Sequence, residues 1–332
     1  MKITSTAINN WSTSNIQVEE EKITPYKYVE ELPHYEIPQS CRFTVSRPDL
    51  QAPDIVYYQS IPEKEGFPIA IFCTGSSTKN SISSVIHFHR YFLQECMDLG
   101  IAMVTVERWG VDGNEHNETE FMEHYTRTQR LEDHKTVIDH LKSHPLEGWN
   151  GKFIFVGASE GGPLITALTA DYNENTAATI NWSGTGDWSW REELWAFSQK
   201  ILETAKCPHS ITLGECESCS KTFPSRQDYD TLMDSAISNP TIEKDFLEMT
   251  YRYHADAMAF SPPNYQKLTH PFLVVSGAED FIIESSDAFV QKAKEAEAPV
   301  TYLRVDGMDH YVRKRPDIIA RSFEWLKATL NL

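Results

Sequence analysis

The chain has 332 residues, 40% of them hydrophobic, which is enough for one large core, or one core with an appended layer. Its 30 Lys and Arg against 48 Asp and Glu leave a formal charge of −18, which repels phosphate backbones and anionic head groups and argues against nucleic-acid and polyanionic partners. Six cysteines are too sparse for a disulfide framework, no stretch approaches the roughly 18 apolar residues of a membrane helix, and the opening residues are polar rather than a basic-then-apolar leader, so a cytoplasmic globular protein is expected.

Residues 1–40 are polar, broken by Pro25, Pro33 and Pro38 and marked by Glu19, Glu20 and Glu21; they are expected to form an extension lying on the surface or partly ordered. From about residue 41 the pattern changes to short β-rich runs at 54–60, 68–73, 101–106, 152–156, 177–182, 271–276 and 300–305. Several are nearly continuous apolar runs, as in strands covered on both faces. Helical stripes lie between them: Val85, His89, Phe92 and Cys96; then His134, Ile138 and Leu141; then Ile319, Phe323, Leu326 and Leu330. Strand followed by helix, repeated, predicts an α/β fold with a mostly parallel, doubly wound sheet over 41–186 and 269–332. Residues 187–268 interrupt that rhythm. Helical stretches are predicted there around 190–205, 227–237 and 241–260, as a cap over the ligand end of the sheet.

The strongest local signal is Gly157-Ala158-Ser159-Glu160-Gly161-Gly162, which directly follows the strand run K-F-I-F-V and precedes the helix-like L-I-T-A-L-T-A. A serine on a sharp strand-to-helix turn exposes its hydroxyl, and Gly157 and Gly161 allow neighbouring backbone to come close. The helix start aims free N–H groups at negative charge developing there. A serine hydroxyl needs a base. His310 stands in the loop after the last strand run, at the same sheet edge as Ser159. The base needs an orienting carboxylate, and Asp280 follows the 271–276 run at that edge. Glu279 is its substitute, whereas Asp309 reads as a solvated or structural group. Oxyanion donors are expected from the backbone N–H of Glu160 and from the turn Thr74-Gly75-Ser76-Ser77, where Ser76 is the candidate.

This order of Ser159, Asp280 and His310, with T-G-S upstream and a helical insertion between the sixth and seventh strands, resembles the α/β-hydrolase superfamily over residues 50–332. The resemblance implies the roles of nucleophile, acid and base for Ser159, Asp280 and His310, and oxyanion roles for Ser76 and Glu160. The segment Glu107-Arg108-Trp109-Gly110-Val111 resembles a charged family loop that borders the site, which makes Trp109 a candidate substrate contact. Thr74-Gly75 departs from the usual His-Gly, and Glu160 resembles the S-x-G-G of capped esterases, peptidase-like members and thioesterases without choosing among them.

Trp182, Trp188, Trp190 and Trp195 fall within fourteen residues, which fits either an aromatic-lined acyl or aryl pocket, with Trp182 and Trp188 as substrate contacts, or the cap's own core. Cys207, His209, Cys216 and Cys219 could clip a zinc ion, but the spacing matches no familiar finger, and reduced thiols beside an unliganded histidine, with no metal, are expected. The expected activity is a serine hydrolase cleaving a small-molecule carboxylic ester through an acyl-enzyme, with no cofactor. The alternatives are thioester or peptide cleavage on the same residues, or a catalytically silent binding protein.

Overall fold

The computed structural model describes residues 18–21, 41–49, 51–184, 186–204 and 225–332. In chain order the strands are β1 (Val18–Glu21), β2 (Arg42–Val45), β3 (Ile55–Ser60), β4 (Phe67–Cys73) and β5 (Ala102–Val106). A short hairpin of β6 (Val111–Asp112) and β7 (Glu115–His116) comes next, followed by β8 (Trp149–Ala158) and β9 (Thr176–Trp182). A second hairpin, β10 (Asp245–Phe246) and β11 (Met249–Thr250), precedes β12 (Phe272–Gly277) and β13 (Val300–Val305). Nine of these form one sheet in the order β1-β13-β12-β9-β8-β4-β5-β3-β2. It is parallel except where β3 meets β5 and β2 meets β3.

The continuous apolar runs follow from cover on both faces. Along β4, Phe67, Ile69, Ile71 and Cys73 join one core cluster while Ala70 and Phe72 join the other. β8 alternates in the same way, Phe153 and Phe155 against Ile154 and Val156. The first face is covered by α3 (Arg127–Ser143), α4 (Gly161–Asp171) and α8 (Ile283–Glu295) through Val137, Leu164 and Phe289 among others. The second face is covered by α1 (Ile86–Asp98) and α9 (Pro316–Leu330) through Phe92, Phe323 and Leu326. A shorter helix, α2 (Glu118–His124), precedes α3 and is capped by Asn117, whose side chain accepts the Glu120 N–H. This is the mostly parallel, doubly wound α/β architecture expected from the sequence.

Three features differ from expectation. Val18–Glu21, inside the polar extension, pairs in parallel with Tyr302–Val305 and so adds a strand to the sheet. Arg42–Val45 adds another, so the insertion follows the seventh strand of the sheet rather than the sixth. Within the insertion, α5 (Trp190–Thr204), α6 (Arg226–Ser238) and α7 (Tyr251–Ala259) are helical, but 245–250 is a hairpin and not part of a helix. Its two turn residues, Leu247 and Glu248, both have left-handed backbone, at φ 49° and 61°. The Glu248 carboxylate accepts from Thr78 Oγ1 (2.8 Å) and Asn80 Nδ2 (2.6 Å), which fastens the turn to the loop beyond β4. No helix among the described residues is long and apolar enough to cross a membrane.

Candidate active site

Parallel strands end at one edge, so the loops after β4, β8, β12 and β13 share a rim. Cys73 is level with Gly157 across β4–β8, and Gly277 with Val305 across β12–β13. After β8 the chain turns at Ser159, whose φ of 52° is left-handed, a conformation that costs of order 1–3 kcal/mol and persists only when its surroundings enforce it. Here the Ser159 N–H donates to the Trp182 carbonyl (3.0 Å) and the Ser159 carbonyl accepts from the Gly162 N–H (2.8 Å). A side chain at Gly161 is impossible, because a Cβ there would lie 2.0 Å from the Cys73 carbonyl oxygen. The helix start is thereby pressed onto the end of β4.

The His310 imidazole meets this serine, with Nε2 2.9 Å from Ser159 Oγ. Its Nδ1 lies 3.0 and 3.1 Å from the two Asp280 carboxylate oxygens. With Nδ1–H donated to the carboxylate, Nε2 keeps its lone pair for the serine hydroxyl proton. Asp280 is 4% exposed and also accepts the Ile282 N–H at 3.1 Å. Gly277 lets the two loops touch, because a Cβ there would lie 2.0 Å from the Met308 carbonyl oxygen. Asp309 is turned to Lys314 (2.6 Å), and Glu279 is exposed, so Asp280 is the carboxylate that reaches the imidazole. Phe281 stacks obliquely on His310 at 4.5 Å, and Phe197 of α5 packs on Phe281 at 4.9 Å.

The turn after β4 is anchored on three side chains. Arg130 donates to the Thr74 carbonyl (2.8 Å), and Arg108 donates to Thr74 Oγ1 (2.8 Å) and the Gly75 carbonyl (2.6 Å). Tyr125 Oη accepts the Ser77 N–H (2.9 Å). A Cβ on Gly75 would lie 3.3 Å from Ser159 Cβ, so this turn borders the serine directly. Among the described residues no hydrogen bond takes the N–H of Ser76 or of Glu160.

The Glu160 side chain lies in a buried cluster. Oε2 accepts from Tyr125 Oη (2.6 Å) and lies 3.0 Å from an Arg130 nitrogen; Oε1 accepts from Tyr253 Oη (2.6 Å) and lies 3.9 Å from Arg127. Burial alone would raise its pKa, but Arg130, Arg127 and the two phenols more than offset this and hold it below the ordinary carboxylate range. Glu193 on α5 is the opposite case. Burial pushes it up to about 8: Arg127, 3.9 Å away and shared, the Ser285 hydroxyl (3.2 Å) and the Gly186 backbone favour the charged form too weakly to offset it, and the Asp280 charge opposes ionisation.

The tryptophans are placed differently from expectation. Trp182 points away from the serine into the second core cluster, 2% exposed, its ring stacked on Phe92 (5.0 Å) and its indole N–H donated to Ser322 Oγ. It is a core residue, not a pocket wall. Trp109 is enclosed between the Arg47 guanidinium (3.8 Å) and the His124 ring (3.9 Å), so its faces are occupied by protein. Trp188 is half-buried, and its backbone N–H donates to Ser285 Oγ at 3.0 Å. The candidate zinc ligands Cys207, His209, Cys216 and Cys219 lie outside the described residues, and among those described no group of three or more His, Cys, Asp or Glu could hold a metal ion. Arg108 lies in the charged loop that the sequence placed beside the site, but sequence reasoning missed the side chains of Tyr125, Arg127, Arg130 and Tyr253. The available signal was Arg127 and Arg130, three apart on one helix face just after Tyr125.

A family model described as serine aminopeptidase, S33, matches residues 87–313. A search of curated proteins finds no match. Among solved structures the chain is similar to Est1E from Butyrivibrio proteoclasticus, at 14% identity and a TM-score of 0.54, covering 88% of this chain and 99% of that one. EstE1, a thermostable carboxylesterase cloned from a metagenomic library, shows 14% identity and a TM-score of 0.55, with 90% of each chain covered. An acylaminoacyl peptidase from Pyrococcus horikoshii shows 15% identity and a TM-score of 0.52, covering 85% of this chain and 39% of that one.

Proposed function

The chain belongs to the serine aminopeptidase S33 family of α/β-hydrolases, and on that premise we propose that it cleaves a carboxylic ester through an acyl-enzyme on Ser159. One observation carries the proposal: the unbroken hydrogen-bond row from Ser159 Oγ through His310 to Asp280. Ser159 Oγ attacks the substrate carbonyl as His310 Nε2 takes its proton. Asp280 holds Nδ1–H and stabilises the imidazolium. Charge on the carbonyl oxygen is met by the N–H groups of Glu160 and Ser76, which no described protein group occupies. The imidazolium then protonates the departing alcohol, and water, activated by the same imidazole, releases the acid. In this reading the described parts of 187–268 form the cap, with Phe281 beside His310, and Phe197 packed on Phe281, as an apolar wall for the substrate in place of Trp182 and Trp109.

The family's own description favours a second reading, in which an amide takes the place of the ester. A panel of acyl esters, thioesters and aminoacyl arylamides separates the two, with highest kcat/KM on an ester expected and arylamide preference reversing the assignment. A fluorophosphonate should label the wild type and leave Ser159→Ala unlabelled; label retained in that variant would move the nucleophile elsewhere. Asp280→Asn should lower kcat on the order of 10⁴-fold, because the wrong imidazole tautomer then faces Ser159.

A further inference from the structure

In the turn after β4, the peptide groups on either side of Ser76 are clamped from behind. All peptides among the described residues are trans. In a trans peptide the C=O and the following N–H point in opposite directions. Fixing the Gly75 carbonyl on Arg108 (2.6 Å) therefore aims the Ser76 N–H away from that guanidinium. The next peptide is fixed through its N–H, which donates to Tyr125 Oη (2.9 Å). A phenolic hydroxyl has a single hydrogen to donate, and that of Tyr125 goes to the Glu160 carboxylate (2.6 Å), which leaves an oxygen lone pair for Ser77. Tyr125 and Arg108 are 5% and 4% exposed, so water does not compete for these contacts.

We propose that Arg108 and Tyr125 are positioning residues for the oxyanion site: together they aim the Ser76 N–H, and the Glu160 side chain sets the Tyr125 hydroxyl that does so. Glu160 thus serves the site twice, with its N–H as a donor and its carboxylate as the support of the other donor. The assignment rests on the serine-hydrolase reading of Ser159. It also excludes Ser77 as an oxyanion donor, because its N–H is already committed.

Tyr253 supplies the control. It is as buried as Tyr125 and bonds the same carboxylate at the same 2.6 Å, yet its hydroxyl has no bond to the 74–77 turn. Tyr125→Phe and Tyr253→Phe each remove one buried hydroxyl beside Glu160. Tyr125→Phe is expected to lower kcat about 10- to 100-fold with KM changed by less than about threefold, since a misaimed donor costs mainly transition-state binding. Its affinity for an alkyl trifluoromethyl ketone, which forms an oxyanion on Ser159, should fall by a similar factor. Tyr253→Phe should change neither by more than about threefold. Should Tyr125→Phe fail to fold, Arg108→Lys, which keeps the charge but not the planar fork, should show the same kcat-selective loss. Equal kcat and equal ketone affinity in the two tyrosine variants would overturn the positioning role while leaving the hydrolase reading intact. Absence of both turnover and fluorophosphonate labelling in the wild type would instead remove that reading, and the positioning role with it.

Discussion

Arg127 and Arg226 keep similar company in different surroundings. Each guanidinium lies over a tryptophan of α5, Arg127 on Trp190 at 4.5 Å and Arg226 on Trp195 at 5.3 Å, and each stands between two acidic side chains. Arg226 has the shorter contacts, 2.5 Å to Glu192 and 2.9 Å to Asp230, against 3.9 Å from Arg127 to both Glu160 and Glu193. Its side chain, however, is 37% exposed and that of Arg127 4%. Water and salt screen the first cluster, so short distances there carry little free energy, whereas in the second every charge depends on its protein partners. Contact length is a poor guide to which arginine matters; burial is the better one.

The widest separation between the two clusters should come from Glu160→Ala. It leaves Arg127 and Arg130 facing each other in the interior and should cost about 3–5 kcal/mol, measured by the urea midpoint. The comparison breaks if that loss is no larger than the effect of Arg226→Ala. A sharper, pH-dependent effect is expected at Glu193. Its folded pKa of about 8 stands above the ordinary 4.5, so the unfolded chain releases this proton first as pH rises. Stability from this site is therefore greatest below pH 4.5 and declines as pH climbs to 8. Glu193→Gln, which cannot ionise, should match the wild type in melting temperature near pH 4.5 and exceed it by a few degrees above pH 8; a constant difference across that range would show that Glu193 is ionised throughout. The smallest effect belongs to Arg226→Ala, less than about 1 kcal/mol and fading in 1 M salt.

Much of the fold was legible because burial on both faces writes itself into local composition. All seven apolar runs read from the sequence are strands, and the stripes of α1, α3 and α9 are helices. The chain order of Ser159, Asp280 and His310 was readable for a related reason: parallel strands deliver their following loops to one edge, where these three side chains meet. The Glu160 cluster was not readable. Its partners Tyr125 and Tyr253 are 35 and 93 residues away, and nothing in S-E-G-G says that the carboxylate faces inward. Trp182 was misread although the signal existed. Two-residue alternation along β9 puts it on the same face as Ala178 and Ile180, which is the core face packed against α1 and α9. The hairpin at 245–250 was hidden by Leu247 and Glu248, neither of which announces a left-handed turn as glycine or asparagine would.

The short segment Val18–Glu21 has a consequence for how the chain is handled. It is the outermost strand of the sheet, lying along β13, the strand that runs directly into the loop bearing His310. A truncated protein starting at residue 41 would uncover the row of main-chain donors and acceptors on β13 and offer it as a template to another molecule. Self-association through that margin, rather than faulty chemistry, is the first explanation to examine if such a shortened form loses activity.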